Sequence, residues 1–464
     1  MNALLLALVA AAQIETAPPP PEPPRPVEMP RPVQSTLPNG LRVIVAEKHS
    51  VPLVAARLLI ASGTEADPAE LPGVAEMTAA MLTTGTTTRT AQQISRGVEA
   101  LGATLDTGAG WDHSFVAVSV MSSKLSKAME SMADVALHPT FAADELDRER
   151  RRELDTVRLT LKNPGKLGMR EAAEVVFGNG PYGRSGATLA SAEAMKREDL
   201  VAFHEHHYAP NNAILILAGD VTPSAGTKLA EECFGAWKRV AGETPVETST
   251  AADAERPKPR VVIVDLPNAP QAMVLVSKPG LARSDPRYAV AQVTNAVLGG
   301  GLSSRLSEEI RIKRGLSYGA HSFFEFRRDG GPFMAWARTK NESAAEVARL
   351  MIGQLDRMAA EPVAAEELAP RKAALIGTFA RPLETNAGLA SLIGELALYG
   401  ISLDEIGHYI PSIDAVTSAQ VQQFAKEHLG GPYSVIIAGD AKTLLDAVKK
   451  EFTNAEVLPA ASVK

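Results

Sequence analysis

His204-Glu205-His206-His207 is the only histidine cluster of the chain. On a helix, His204 and His207 at i and i+3 would share a face and could offer two imidazoles to a metal ion. No distant third ligand is evident, and the segment reads as a solvated helix end. The run Gly299-Gly-Gly-Leu-Ser-Ser304 lacks the Gly-Lys-Ser/Thr ending of a phosphate loop and follows a helix rather than a strand, so it is a turn before the next helix. Cys233 is the sole cysteine, which excludes an intramolecular disulfide and a cysteine-rich metal cluster. In Glu-Glu-Cys-Phe-Gly-Ala-Trp it reads as an inert residue at a helix end packed on a core. Arg311 and Tyr318, seven residues apart, read by themselves as a surface helix residue and a core strand residue.

The elements that must hold these residues mix strands and helices. Leu41–Ala46 and Leu53–Ser62 are β-branched and apolar runs, with Pro38-Asn39-Gly40 as a turn before the first. Gly73–Leu82 is a helix pattern whose one ionisable group is Glu76. Ala91–Leu101 is a second helix with Thr90 as its cap. Thr104–Thr107 and Ser114–Met121 form a strand pair. Asp144–Lys162 is a long charged helix ending before Asn163-Pro164, and Ala213–Ala218 is a short buried strand. Runs of strands and runs of helices without regular alternation predict an α+β fold, not a doubly wound one.

The chain also repeats itself. Arg42-Val-Ile-Val45 recurs as Arg260-Val-Val-Ile263, 218 residues later. Val74–Leu82 recurs as Val290–Leu298 at an offset of 216, and Ile214–Asp220 as Ser434–Asp440 at 220. Three matches in one order at nearly one spacing imply two homologous halves. They are placed at 35–240 and 260–464, joined by a polar, low-complexity linker at 241–259.

Composition bounds the rest. At 464 residues the chain is too long for one ordinary core. Its 45% hydrophobic and 22% charged residues are usual for a soluble globular protein. A net charge of −7 argues against a nucleic-acid binder, which needs a basic face. Leu4–Val9 followed by Ala10-Ala11-Ala12 resembles a secretory signal over residues 1–12, too short to span a bilayer. Residues 13–34 are a proline-rich, extended leader. Together they predict export to the periplasm, with the cytoplasm as the alternative and no transmembrane segment.

In their order and spacing, several motifs resemble the insulinase/pitrilysin family of zinc peptidases, related to mitochondrial processing peptidase, over nearly all of residues 35–464. These are Leu37-Pro-Asn-Gly-Leu41-Arg-Val, Gly63-Thr64-Glu65, the Gly73 helix, Pro181-Tyr182-Gly183-Arg184 and Phe203-x4-Tyr208-x-Pro210-x-Asn212. The most specific is Gly299-Gly-Gly-Leu-Ser-Ser-Arg-Leu-Ser-Glu-Glu-Ile-Arg311-Ile-Lys-Arg-Gly315-Leu-Ser-Tyr318. The resemblance implies two α/β-roll halves, each with a mainly antiparallel sheet packed by helices.

Active members carry H-x-x-E-H on the first of these helices. Here the two histidine positions fall at Glu76 and Ala80, and the glutamate base at Ala79. The family's third ligand lies about 76 residues past the second histidine, which gives Thr156. Nearby Glu149 and Glu153 fit the charged outer face of their helix. A catalytic zinc needs three protein ligands and a water, and the base takes that water's proton; one carboxylate at Glu76 does not replace them. The resemblance assigns Arg311 and Tyr318 to substrate binding and oxyanion stabilisation in the half facing the zinc half. It therefore implies a non-catalytic subunit without a metal of its own, working on peptides beside a zinc-bearing homologous chain. The alternative is a structural, assembly or peptide-binding protein with no peptidase role.

Overall fold

The structure is a computed structural model and describes residues 30–240 and 257–463. The candidate signal (1–12) and most of the candidate leader (13–34) and linker (241–259) lie outside the described residues.

The first half builds a six-stranded sheet from β1 (Val33–Thr36), β2 (Arg42–Glu47), β3 (Leu53–Ile60), β4 (Thr104–Ala109), β5 (Ser114–Met121) and β6 (Ala213–Gly219). Their spatial order is β1-β2-β6-β3-β5-β4. The second half repeats the plan with β7 (Val261–Asp265), β8 (Ala272–Pro279), β9 (Ala320–Phe324), β10 (Pro332–Thr339), β11 (Ser434–Gly439) and β12 (Glu456–Pro459). Their order is β12-β7-β11-β8-β10-β9. Neighbours are antiparallel except β2 with β6, β7 with β11 and β12 with β7. The fold is thus mixed α and β in two related halves. The outer strand is built differently in the two sheets: β1 precedes β2 and pairs with it antiparallel, whereas β12 follows β11 in sequence and pairs with β7 in parallel.

Sequence chemistry explains the layers. Along β5 buried residues alternate with less buried ones, the signature of a sheet with one face on a core. In β6, Ala-Ile-Leu-Ile-Leu-Ala-Gly, every residue is buried, as in β11, so those strands are covered on both faces. One cover comes from the strand's own half. The other is exchanged. Helix Pro164–Phe177 of the first half lays Leu167, Ala172 and Val175 on Val262, Met273, Leu275 and Ile436 of the second sheet. Helix Asn386–Leu398 of the second half lays Leu389, Ile393 and Leu396 on Ile44, Leu59, Ile214 and Ile216 of the first. Gly168 and Gly394 bring these helices close: a Cβ on either would stand 2.8 Å from a leucine Cδ1 of the opposing sheet, Leu275 and Leu59 respectively.

A loop adds a polar joint between the halves. Arg327 is buried, with its guanidinium 3.6 Å from the Trp111 ring centre and 4.9 Å from that of Tyr182. Buried Asp112 accepts hydrogen bonds from the Tyr182 hydroxyl (2.5 Å), the Arg328 amide (2.9 Å) and the Tyr399 hydroxyl (3.0 Å). Among the described residues no helix is long and apolar enough to cross a membrane.

Candidate functional site

The degenerate motif sits on helix Val74–Met81, and Asp67 fixes where that helix starts. Its carboxylate accepts from the amides of Gly73 (2.6 Å) and Ala75 (2.8 Å), where the helix dipole favours negative charge. Burial nevertheless pushes the Asp67 carboxyl up to about 7. Gly73 adopts φ +97°, a left-handed turn that glycine enters without strain. Val74, Met77 and Met81 pack inward. Glu76 and Ala80, four apart, share the exposed face. Ala79, at the position of the base, is fully buried.

Glu76 opens on a cleft of about 450 Å³. Its walls are helix Ala143–Thr160, the start of helix Pro164–Phe177, segment 185–187, and Met273, Trp336 and Arg338 of β8 and β10. Thr156 lines the same cleft, so the structure brings together the two residues that the resemblance aligns with the first and third ligands. The Thr156 hydroxyl is spent on the Arg152 carbonyl at 3.0 Å. Glu153 does not belong to the outer face expected from the sequence; it turns into the cleft towards Glu76. On a helix charged nearly all round, periodicity carries no signal for the inward side.

Arg170 supplies the charge that answers these carboxylates. It is buried and donates to the carbonyls of Gly186 (3.0 Å) and Ala187. Although Glu76 reaches solvent on one side, the cleft walls desolvate its carboxyl and push it above its ordinary range, the charge of Glu153 adds to this, and Arg170 opposes it. Glu153 is likewise raised by burial and lowered by Arg170. The arrangement does not fit a zinc ion. Of Glu76, Ala79, Ala80 and Thr156, only Glu76 offers a usual ligand atom, and a guanidinium already answers it. No group of three His, Cys, Asp or Glu among the described residues is placed to hold a metal.

The second feature lies across β10. Arg311 sits in a π-helical turn, Ser307–Ile312, a rare geometry that recurs at functional sites. Its guanidinium lies 4.8 Å from the Tyr318 ring centre, a cation–π contact. Tyr318 is 90% exposed, so it is not a core strand residue; it precedes β9. Ser317 Oγ lies 2.6 Å from the Arg338 carbonyl, and the Thr339 hydroxyl donates to the Leu316 carbonyl at 2.6 Å. The Tyr318 loop is therefore tied to the strand whose Trp336 and Arg338 wall the cleft. His321 packs on Trp336 at 4.9 Å, and burial, then the charge of Arg311, lowers its pKa.

The histidine cluster is structural rather than a solvated helix end. His204 bonds the Ala136 carbonyl through Nε2 at 2.8 Å and stacks on Tyr208, and His207 Nδ1 lies 3.1 Å from Ser62 Oγ. Burial holds His207 near 4 and lowers His204; only Glu205 and His206 face solvent. Cys233 is half-buried, and burial pushes its thiol up to about 11, which suppresses the reactive thiolate. Arg170, Lys166, Arg338 and Trp336 were not legible as site residues. All four come from a helix or strand distant in sequence from Glu76, and none falls in a motif.

Two related halves, each a mixed sheet backed by helices, define a duplicated α/β-roll protein. Residues 42–184 match the model described as Insulinase (Peptidase family M16), and residues 194–375 match Peptidase M16 inactive domain. The chain belongs to this insulinase family. An uncharacterized zinc protease of Mycobacterium tuberculosis is 29% identical over 409 residues, 88% of this chain and 92% of that protein. One from Streptomyces coelicolor is 26% identical over 413 residues, 88% and 90% of the two chains. The crystal structure of a peptidase M16 inactive domain from Pseudomonas fluorescens superposes with a TM-score of 0.81 at 28% identity, covering 88% of this chain and 98% of that one. A protease from Helicobacter pylori shares the fold, with a TM-score of 0.81 at 19% identity over 88% and 100% of the chains.

Proposed function

We propose that this chain is the non-catalytic subunit of a two-chain zinc metallopeptidase acting on peptides or short unfolded segments. The observation that carries the reading is a split. Every group of the zinc motif is replaced in the first half, while on the second a half-buried Arg311 rests on the ring of the exposed Tyr318. A homologous partner with an intact H-x-x-E-H helix would bring zinc, water and base. This chain contributes half the chamber wall, and its guanidinium and phenol donate to the carbonyl oxygen that gains charge. Such donors act best where water is excluded and their positions are fixed in advance. The N-terminal apolar run and the alanines after it support a periplasmic setting, which cell fractionation tests.

The test is reconstitution. The chain alone should not hydrolyse peptides. Mixed with a zinc-bearing homologue from the same cells, it should raise that partner's turnover. Arg311→Ala and Tyr318→Phe should each lower kcat of the pair by roughly 10²–10³-fold, the effect of removing one oxyanion donor. Unchanged activity in both variants would favour a structural, assembly or peptide-binding role instead. Zinc-dependent hydrolysis by the pure chain would end the proposal.

A further inference from the structure

The cleft beside Glu76 has inverted in electrostatic sign relative to a metal site. It holds three cations, Lys166, Arg170 and Arg338, against two carboxylates, Glu76 and Glu153. Arg170 is engaged with the two carboxylates and two backbone carbonyls. Lys166 and Arg338 have no acidic side-chain partner among the described residues. Arg338 lies over the first turn of helix Pro164–Phe177, where a Cβ on Gly165 would come within 2.6 Å of its Nη2. The absence of a side chain at 165 is what lets the guanidinium rest there, with Lys166 next along the same turn. Beside these charges the lining is apolar: Met169, Met273 and Trp336.

A site with unanswered cations at one side and an apolar wall beside them suits an anion carried on an apolar group. The planar guanidinium fork matches a carboxylate, and a thioether and indole wall accepts an aliphatic or aromatic side chain. We propose that this cleft binds a carboxylate borne on an apolar residue, the form presented by the C-terminal residue of a peptide. The carboxylate lies between Lys166 and Arg338, and the last side chain against Met169, Met273 and Trp336. The choice of a peptide as the source rests on the peptide-chamber reading above. The other source of the same chemistry is an internal glutamate or aspartate side chain.

The experiment is calorimetric titration of the full chain, without any partner, using three probes: acetyl-Ala-Ala-Leu as the free acid, its C-terminal amide, and acetyl-Ala-Glu-Ala-amide. The free acid should bind about tenfold more tightly than either other peptide, from the loss of a charge-assisted contact. It should also change the tryptophan emission, a change absent in Trp336→Phe. Lys166 and Arg338 are exposed, so the double variant Lys166→Met, Arg338→Met should melt as the parent does and show no preference for the free acid. Equal binding of acid and amide, equal binding of the internal glutamate, no binding at all, or a preference retained in the double variant would each overturn the assignment. None of these readouts involves cleavage. A failed reconstitution leaves the carboxylate site standing, and a failed titration leaves the peptidase reading standing.

Discussion

At Glu76 a carboxylate stands where the resemblance expects a histidine, and Arg170 is the charge that answers it. Two carboxylates that burial would drive towards protonation are held near a guanidinium tethered to the Gly186 and Ala187 carbonyls. Removing one partner of such a cluster leaves the rest uncompensated. Arg170→Met should therefore destabilise the chain by about 2 kcal/mol, at the low end because Glu76 opens on solvent. The sign with pH follows from the shifts. Both glutamates have folded pKa values above their ordinary range, so their contribution is intact at low pH and lost as pH rises through the raised values. Without Arg170 that loss grows, and urea denaturation should show a larger defect at pH 8 than at pH 4. A defect independent of pH would mean that Arg170 acts only through packing. The positions Glu76, Ala79, Ala80 and Thr156 stand out in the sequence only through the resemblance to the H-x-x-E-H spacing. Arg170 and Glu153 do not, since only the packing of three separate segments brings them together.

At the scale of elements, local chemistry placed strands and helices well. Thr90 does cap Ala91–Ala100 through a capping box, and Pro38-Asn39-Gly40 does turn β1 into β2, with Gly40 at φ +93°. What local pattern does not encode is destination. Helix Asn386–Leu398 is apolar enough to be buried, yet nothing in its periodicity says that it covers the sheet of the other half. Its central contact gives the prediction. Ile393 is fully buried against the first sheet, and truncating such a residue costs about 2–5 kcal/mol. Ile393→Ala should lower the urea midpoint for the whole chain in one transition. Two separated transitions would show that the halves unfold independently and that the exchanged helices do not couple them.

For the whole molecule, the joint between halves is both apolar and charged. Glu65 sits in it beside Asp112 and Arg328, whose Nη1 is 3.3 Å away. Burial, then the charge of Asp112, pushes the Glu65 carboxyl up to about 8, against the pull of Arg328. The folded chain keeps this proton where the unfolded chain has released it. Stability from this group is thus complete below the ordinary glutamate range and is lost as pH climbs to about 8. Glu65→Gln should flatten the fall in stability between pH 5 and pH 8 by an amount on the order of 1–3 kcal/mol. Thermal melts of the two proteins at both pH values check it, and parallel slopes would remove Glu65 as the source. The internal repeat announced two halves, but this joint could not be read from it: Asp112, Arg328 and Tyr399 lie in loops or at an element end, outside the repeated segments.

The exchanged helices also fix the order of the folding reaction. A separate half would present one bare sheet face, which another half must cover by lending its own helix, so pairing of unlinked halves would be a second-order process, favoured only at sufficient concentration. Joined in one chain, the same pairing is first order, with an effective concentration set by the connecting segment instead of by the amount of protein. Dilution therefore leaves the stability of the two-half unit untouched, and the melting temperature of this chain by itself is independent of its concentration.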